Sequence, residues 1–132
     1  MKKSILAVVL LMAVSFVNAQ TTPTVQTDIN KVLKFTNDNY DMGKIAYGKP
    51  TEFTVDVQNI SAAPIVIDNV MVGCGCTTPK YTKGQSIAPG AHASVVLGFN
   101  GNSLGKFTKS ATLFFSGNLT KSVSFFGEGV QQ

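Results

Sequence analysis

Residues Thr51–Asn59 read Thr-Glu-Phe-Thr-Val-Asp-Val-Gln-Asn and alternate between polar and apolar side chains from Glu52 to Gln58. Phe53, Val55 and Val57 fall on one face of an extended chain, and the residues between them are polar. A period of two is the signature of a half-buried β-strand. This stretch therefore predicts a sheet that packs one face against a hydrophobic core.

Segments on both sides of this strand carry related patterns. Pro64 introduces residues 65–72, whose apolar side chains first fall on both faces, as in an interior strand. Residues 77–90 lack periodicity and predict a long connection from which Ile87 reaches the core. No segment shows a sustained helical period, so about seven short strands at regular spacing predict an all-β sandwich. The predicted strands are 31–36, 42–47, 51–59, 65–72, 92–99, 107–115 and 121–126, with a turn at 37–41 and a hairpin at Gly117-Asn118.

The first 19 residues have the layout of a secretory signal. Lys2 and Lys3 precede the apolar run 5–17, and small residues end the segment at Ala19. The alternative is a membrane anchor, but the run is shorter than the roughly 20 residues that span a bilayer. We therefore predict cleavage before Gln20, export to the periplasm or the exterior, and no stable membrane span in the mature chain. Residues 20–30 are polar and predict a flexible lead-in.

The charge of the mature chain argues against a nucleic-acid partner. Without the signal it carries nine lysines against seven acidic residues, a net charge of +2, and the sequence contains no arginine. Bidentate phosphate contacts are made by arginine, and the lysines are scattered singly. We expect a protein of the cell envelope as partner.

Both cysteines lie in the stretch Gly73-Cys74-Gly75-Cys76-Thr77. On an extended chain their Cα atoms would be about 6.6 Å apart, near the upper limit for a disulfide, and a bend at Gly75 would shorten this distance. A loop this small has little entropy to remove, so the pair is not a structural staple. Gly73, Gly75 and Thr77 are predicted to support the loop.

Three interpretations of the pair remain open. The simplest makes Cys74 and Cys76 small buried hydrophobic residues in the reduced state. A second makes them a dithiol that exchanges with partners, with Lys80 or Lys83 lowering a thiol pKa. In the third, Cys74 and Cys76 bind copper(I) together with Met71, or the two cysteines form half of a zinc site.

Other chemistry has weaker support. The single histidine, His92, falls on the outward face of its strand; Ser94 shares that face, but the sequence places no acid beside the imidazole. Met42 and Met71 occur in apolar strand patterns and are interpreted as core residues, while Phe114 and Phe126 fall on polar faces and would mark a contact surface if exposed. We therefore predict neither an enzyme nor a bound cofactor or metal.

The order of the motifs resembles the bacterial domain-of-unknown-function family fifteen seventy-three. The motifs are Tyr40-Asp41-Met42-Gly43-Lys44-Ile45, Phe53-x-Val-x-Val-x-Asn59, Pro64-Ile65-x-Ile67, the Gly-Cys-Gly-Cys-Thr signature at 73–77 and Ile87-Ala88-Pro89-Gly90. Gly73 stands where the family often has serine. The resemblance spans about residues 38–129, and it implies export and a hydin-type, immunoglobulin-like antiparallel β-sandwich but no activity. We place this domain at residues 31–129.

Two functions follow as hypotheses. The first is an exported immunoglobulin-like module that binds or scaffolds other proteins in the cell envelope, because related hydin-type domains act mainly in this way. The alternative is a thiol redox or copper-handling protein that uses Cys74 and Cys76.

Overall fold

The computed structural model describes residues 27–132 and consists almost entirely of β-strands. The predictions for residues 1–19 and for most of the lead-in lie outside the described residues. Within the lead-in, a single 3-10 turn at Ile29–Lys31 begins the described structure, and Ile29 packs against the core. Among residues 27–132 there is no helix with the length and apolarity needed to cross a bilayer. The strands are β1 Leu33–Thr36, β2 Asn39–Ala46, β3 Thr51–Asn59, β4 Ile65–Val72, β5 Thr77–Lys80, β6 Ser86–Ile87, β7 His92–Phe99, β8 Gly105–Phe115 and β9 Leu119–Val130.

The strands form two sheets that pack face to face. One sheet has four strands in the order β1-β3-β7-β5, and the other has five in the order β2-β9-β8-β4-β6. The predicted all-β sandwich is confirmed. Its pairs are antiparallel except β2 and β9, which run parallel.

Alternating side chains from both sheets fill the space between them. Val55 and Val57 of β3 are fully buried, as their alternation predicts, and Ile87 reaches the core from β6. The aromatic rings join the sheets: the ring of Phe125 lies 5.3 Å from that of Phe53 and 5.7 Å from that of Phe99, between centroids. Such pairs contribute beyond the area that they bury.

Two local features differ from the sequence-based expectation, and a third agrees with it. The connection predicted at 77–90 contains the short strands β5 and β6. The turn predicted at 37–41 ends earlier, because Asn37 takes a left-handed conformation (φ 66°) and the chain enters β2 at Asn39. This left-handed residue lies where the chain leaves the four-stranded sheet for the five-stranded sheet. The β8–β9 hairpin has the predicted turn, with positive φ at Gly117 and Asn118.

Candidate functional site

The cysteine pair lies where the chain crosses from one sheet to the other. Residues 73–76 connect β4, in the five-stranded sheet, to β5, at the edge of the four-stranded sheet. Two backbone hydrogen bonds hold this connection: Thr77 N donates to Cys74 O at 3.4 Å, and Asn100 N donates to Cys76 O at 3.0 Å. The pair is thereby attached to the end of β7 as well as to its own strands.

Cys74 and Cys76 form a disulfide, with their Cα atoms 5.3 Å apart. Both side chains are half-buried. The simplest interpretation, buried and reduced thiols, is therefore not the arrangement that the structure has. A turn at residues 75–76 shortens the Cα distance below that of an extended strand. Gly75 does not use the left-handed region for this turn, and a Cβ built on it would meet nothing within 4 Å.

Thr77 places a buried hydroxyl beside both sulfurs. The residue is 4% exposed, and its Oγ1 lies 3.7 Å from Cys76 Sγ and 3.9 Å from Cys74 Sγ. The sulfurs of a disulfide carry no hydrogen, so the hydroxyl is the donor in these contacts. The sequence suggested Thr77 only as loop support, and its contact with the sulfurs depends on the turn.

The copper interpretation receives no added ligands from the structure. Met71 is 57% exposed on the outer face of the five-stranded sheet, and the two sulfurs are bonded to each other. Within the described part of the chain, no three His, Cys, Asp or Glu side chains gather as a metal-binding group. Copper(I) prefers thiolate and thioether sulfur, so this pair would first have to be reduced.

The two lysines suggested as neighbours of the thiols have other positions. Lys80 Nζ is paired with the carboxylate of Glu52 on the outer face of the four-stranded sheet. Lys83 lies in the β5–β6 connection, where the next residue, Gly84, donates from its backbone N to Ile67 O at 2.8 Å. Ile67 is five residues before the end of β4, so this connection runs beside the middle of the strand. Thr77 is the polar side chain that the structure brings to the sulfurs.

The structure corrects one expectation about His92. Asp56 Oδ2 lies 2.8 Å from His92 Nδ1 and accepts a hydrogen bond from the imidazole. In the β3–β7 register, Asp56 lies directly opposite Ser94, so an acid is present on this face after all. The histidine is exposed, as predicted, and among the described residues no hydrogen bond joins it to Ser94. The arrangement is a hydrogen bond between an imidazole and a carboxylate on the protein surface.

A second candidate surface covers the outer face of the five-stranded sheet. We call it the Met71–Phe126 face, formed by Met71 on β4, Phe114 on β8 and Phe126 on β9. Phe114 and Phe126 are half-buried, and Met71 is a diagonal neighbour of Phe114, because Asn69 pairs with Phe114 and Met71 with Thr112. Met71 was interpreted as a core residue, which is wrong; Met42 does pack against the core.

Phe126 lies in a shallow groove at one end of this face. The groove has a volume of about 410 Å³. Both signs of charge line the groove: Lys44 on β2 and Lys106 on β8 flank Glu128 on β9, and Asp41 lies opposite Phe126 in the β2–β9 register. Serine and threonine residues separate this groove from Phe114: Ser110, Thr112, Ser122 and Ser124.

The two packed sheets, their alternating core and the sheet change between β1 and β2 define the class of protein, an all-β immunoglobulin-like sandwich. The family model described as "Protein of unknown function (DUF1573)" matches residues 33–128. The chain belongs to this family, which the motifs of the sequence had indicated. No curated protein matches the chain.

Solved structures share the fold at low sequence identity. A protein of unknown function from Porphyromonas gingivalis W83 is 14% identical (TM-score 0.61), with 74% of this chain covered; this chain spans about half of that one, 46% of its length. The seventh ASH or PapD-like domain of human CEP192 is 8% identical (TM-score 0.61; 83% of this chain and 92% of that one). SSP-19, an MSP-domain protein of Caenorhabditis elegans, is 10% identical (TM-score 0.56; 72% and 98%). These likenesses show the fold alone.

Proposed function

We propose that the mature chain is an exported, non-enzymatic module that binds another protein in the cell envelope through the Met71–Phe126 face. Export is supported by the charged, apolar and small-residue order of the first 19 residues. Binding is supported by a fold that the chain shares with PapD-like and MSP-type domains. The partner surface is an inference from this chain's own residues.

The exposure of Met71 is the observation that carries the binding proposal. Its neighbours on the inner side of β4, Val70 and Ile67, are buried, so the exposed thioether contributes nothing to the core. Half-buried Phe114 beside it extends the apolar area, and within residues 27–132 no element forms a layer over this face. Methionine and aromatic side chains are enriched in the buried centres of protein interfaces.

Site-specific photocrosslinking in the native cell tests the binding proposal. A photoreactive amino acid replaces Met71 or Phe114, and in the control it replaces Thr54, which is exposed on the outer face of the four-stranded sheet. We expect a discrete protein adduct from the first two positions and none from Thr54. Equal labelling from all three positions, or none from any, would contradict the proposal.

The same cells test export. After fractionation, intact mass should show a chain that begins at Gln20 in the envelope or secreted fraction. A full-length chain in the cytoplasm would contradict the proposed export. The proposed binding would then be judged from the crosslinking result only.

A second candidate function is thiol–disulfide exchange at Cys74 and Cys76. Three observations favour it: the disulfide is half-exposed, it closes too small a loop to act as a staple, and a buried hydroxyl contacts both sulfurs. Exposed disulfides are the ones available for exchange. Copper handling would require prior reduction and is a less direct use of the same pair.

A further inference from the structure

We propose that Thr77 makes Cys76 the leaving group when an incoming thiol attacks the disulfide at Cys74. This inference rests on the second candidate function above and adds to it a direction of attack and a positioning residue. The acceptor of electrons is the Cys74–Cys76 disulfide, and the donor is the exposed dithiol of another protein.

The two sulfurs have different surroundings. In the described part of the chain, the side chain of Cys76 packs against the buried core, and that of Cys74 is not among the residues that do so. Attack on a disulfide proceeds along the line of the two sulfurs, from the side opposite the leaving sulfur. The open approach is therefore to Cys74 Sγ, with Cys76 Sγ leaving toward the protein.

Thr77 meets the leaving sulfur with a hydrogen-bond donor. Its hydroxyl is buried, and its partners are the two sulfurs, of which Cys76 Sγ is the nearer at 3.7 Å. A disulfide sulfur is a weak acceptor, so in the oxidised state this buried hydroxyl gains little over a methyl group. A thiolate in the same place would be a charged and much stronger acceptor. The hydroxyl thus favours the state in which Cys76 carries negative charge.

The backbone keeps this geometry through the reaction. Asn100 N donates to Cys76 O, and Thr77 N donates to Cys74 O, and neither bond involves a sulfur. Breaking the disulfide therefore leaves Cys76 and Thr77 held at the start of β5. The thiolate forms where the hydroxyl already points.

The electrons and protons balance in two displacements. A thiolate of the partner attacks Cys74 Sγ; a new bond joins those two sulfurs, the Cys74–Cys76 bond breaks, and its electron pair leaves on Cys76 Sγ. The partner's second thiolate then attacks the partner's first sulfur and releases Cys74 as a thiolate. Both thiolates take up a proton from water. The partner's dithiol is oxidised to a disulfide, and the Cys74–Cys76 pair is reduced to two thiols.

Reduction of the oxidised, folded mature protein by dithiothreitol tests the role of Thr77. We compare Thr77→Val, which removes the hydroxyl at nearly constant shape, with Thr77→Ser, which retains it, and with Thr78→Val, an exposed neighbour, as control. Because one hydrogen bond to a charged sulfur is lost, Thr77→Val should be reduced about 3- to 10-fold more slowly, and the other two variants should behave like the original protein.

A second measurement separates this role from a purely structural one. In a Cys74→Ser background, alkylation of Cys76 as a function of pH reports its thiolate directly. Adding Thr77→Val should raise the pKa of Cys76 by about 0.5 to 1 unit, and adding Thr77→Ser instead should not. If the pH dependence of Cys76 alkylation is the same with and without Thr77→Val, the proposed role of Thr77 is overturned.

The direction of attack is tested with reduced glutathione as the thiol probe. After acid quenching and digestion, glutathione should be found on Cys74; glutathione on Cys76 would overturn the proposed direction. If neither thiol reagent reduces the folded original protein, thiol exchange itself fails. If they reduce it and Thr77→Val is unchanged, exchange stands and the inference about Thr77 fails.

Discussion

Asn59 shows how much one buried polar residue organises in this domain. Its side chain is fully buried at the end of β3. Its Nδ2 donates to Ala63 O and to Ile87 O, both at 2.8 Å, and its Oδ1 accepts from Ser61 N at 2.9 Å and from Ser61 Oγ at 2.7 Å. The amide thereby connects the β3–β4 turn to β6. All of its hydrogen-bonding groups are used, which is the condition for burying such a group without penalty.

Replacing this amide should destabilise the protein strongly. Asn59→Ala removes four hydrogen bonds and takes from the buried carbonyl oxygen of Ile87 the amide that donates to it, so the free energy of unfolding should fall by about 3 kcal/mol. Urea unfolding measures this change. Gln58→Ala, one residue away on the outer face, is the control and should stay within about 0.5 kcal/mol. A loss below about 1 kcal/mol at Asn59 would show that the network is replaced by water.

At the scale of elements, β9 is the strand on which the five-stranded sheet depends. It pairs with β8 on one side and with β2 on the other. Residues 100–104, between β7 and β8, lie directly on its end: a Cβ built on Gly129 would fall on Ser103 O. A Cβ built on Gly127 would lie 3.1 Å from Cζ of Phe107 and 3.2 Å from Cβ of Met42. These glycines let other chain segments approach the strand backbone closely.

Gly129→Ala should therefore be poorly tolerated. Since the obstacle is a backbone oxygen, relief requires the 100–104 connection to move, and we expect a loss of about 3 kcal/mol or more in the free energy of unfolding. Gly75→Ala is the matched control, because its Cβ would meet nothing within 4 Å. Thermal and urea unfolding of both variants provide the comparison. Equal stability of the two would mean that the connection is not held against β9.

At the scale of the whole molecule, the sandwich closes when the last strand pairs with one of the first. β2 lies parallel to β9, and Lys44, Ile45 and Ala46 pair with Glu128, Gly129 and Val130. The chain between these strands is most of the domain. Pairing between strands this far apart in sequence carries a large loop-closure cost, which the packed core must offset.

Shortening the chain tests this dependence. Removal of residues 127–132 takes away the partners of the end of β2 and the start of β8, so the shortened chain should lose cooperative unfolding and the dispersion of its amide NMR signals. Removal of residues 131–132 alone is the control, since both are exposed and outside β9. A cooperative transition in the longer truncation would show that the remaining strands suffice.

The sequence by itself determined the seven strands other than β5 and β6, and the buried faces of those that alternate clearly. The alternation in β3 and β7 predicted which side chains face inward, and Gly117-Asn118 predicted the β8–β9 hairpin. These features are local, because a strand's periodicity and a turn's backbone preference are written in consecutive residues. The Gly-Cys-Gly-Cys-Thr stretch at residues 73–77 is likewise a local pattern, and it indicated the position of the candidate site in the chain.

Which strands pair and which side chains become neighbours across them was decided only by the tertiary structure. β6 is two residues long and β5 is four, too short for a period to be read. The parallel pairing of β2 with β9, the position of Asp56 beside His92, and the buried hydroxyl of Thr77 at the sulfurs depend on contacts across strands or on a turn's geometry. Periodicity assigns a side chain to a face, and register between distant strands assigns its neighbours. That register is set by the packing of the whole core, which no single segment encodes.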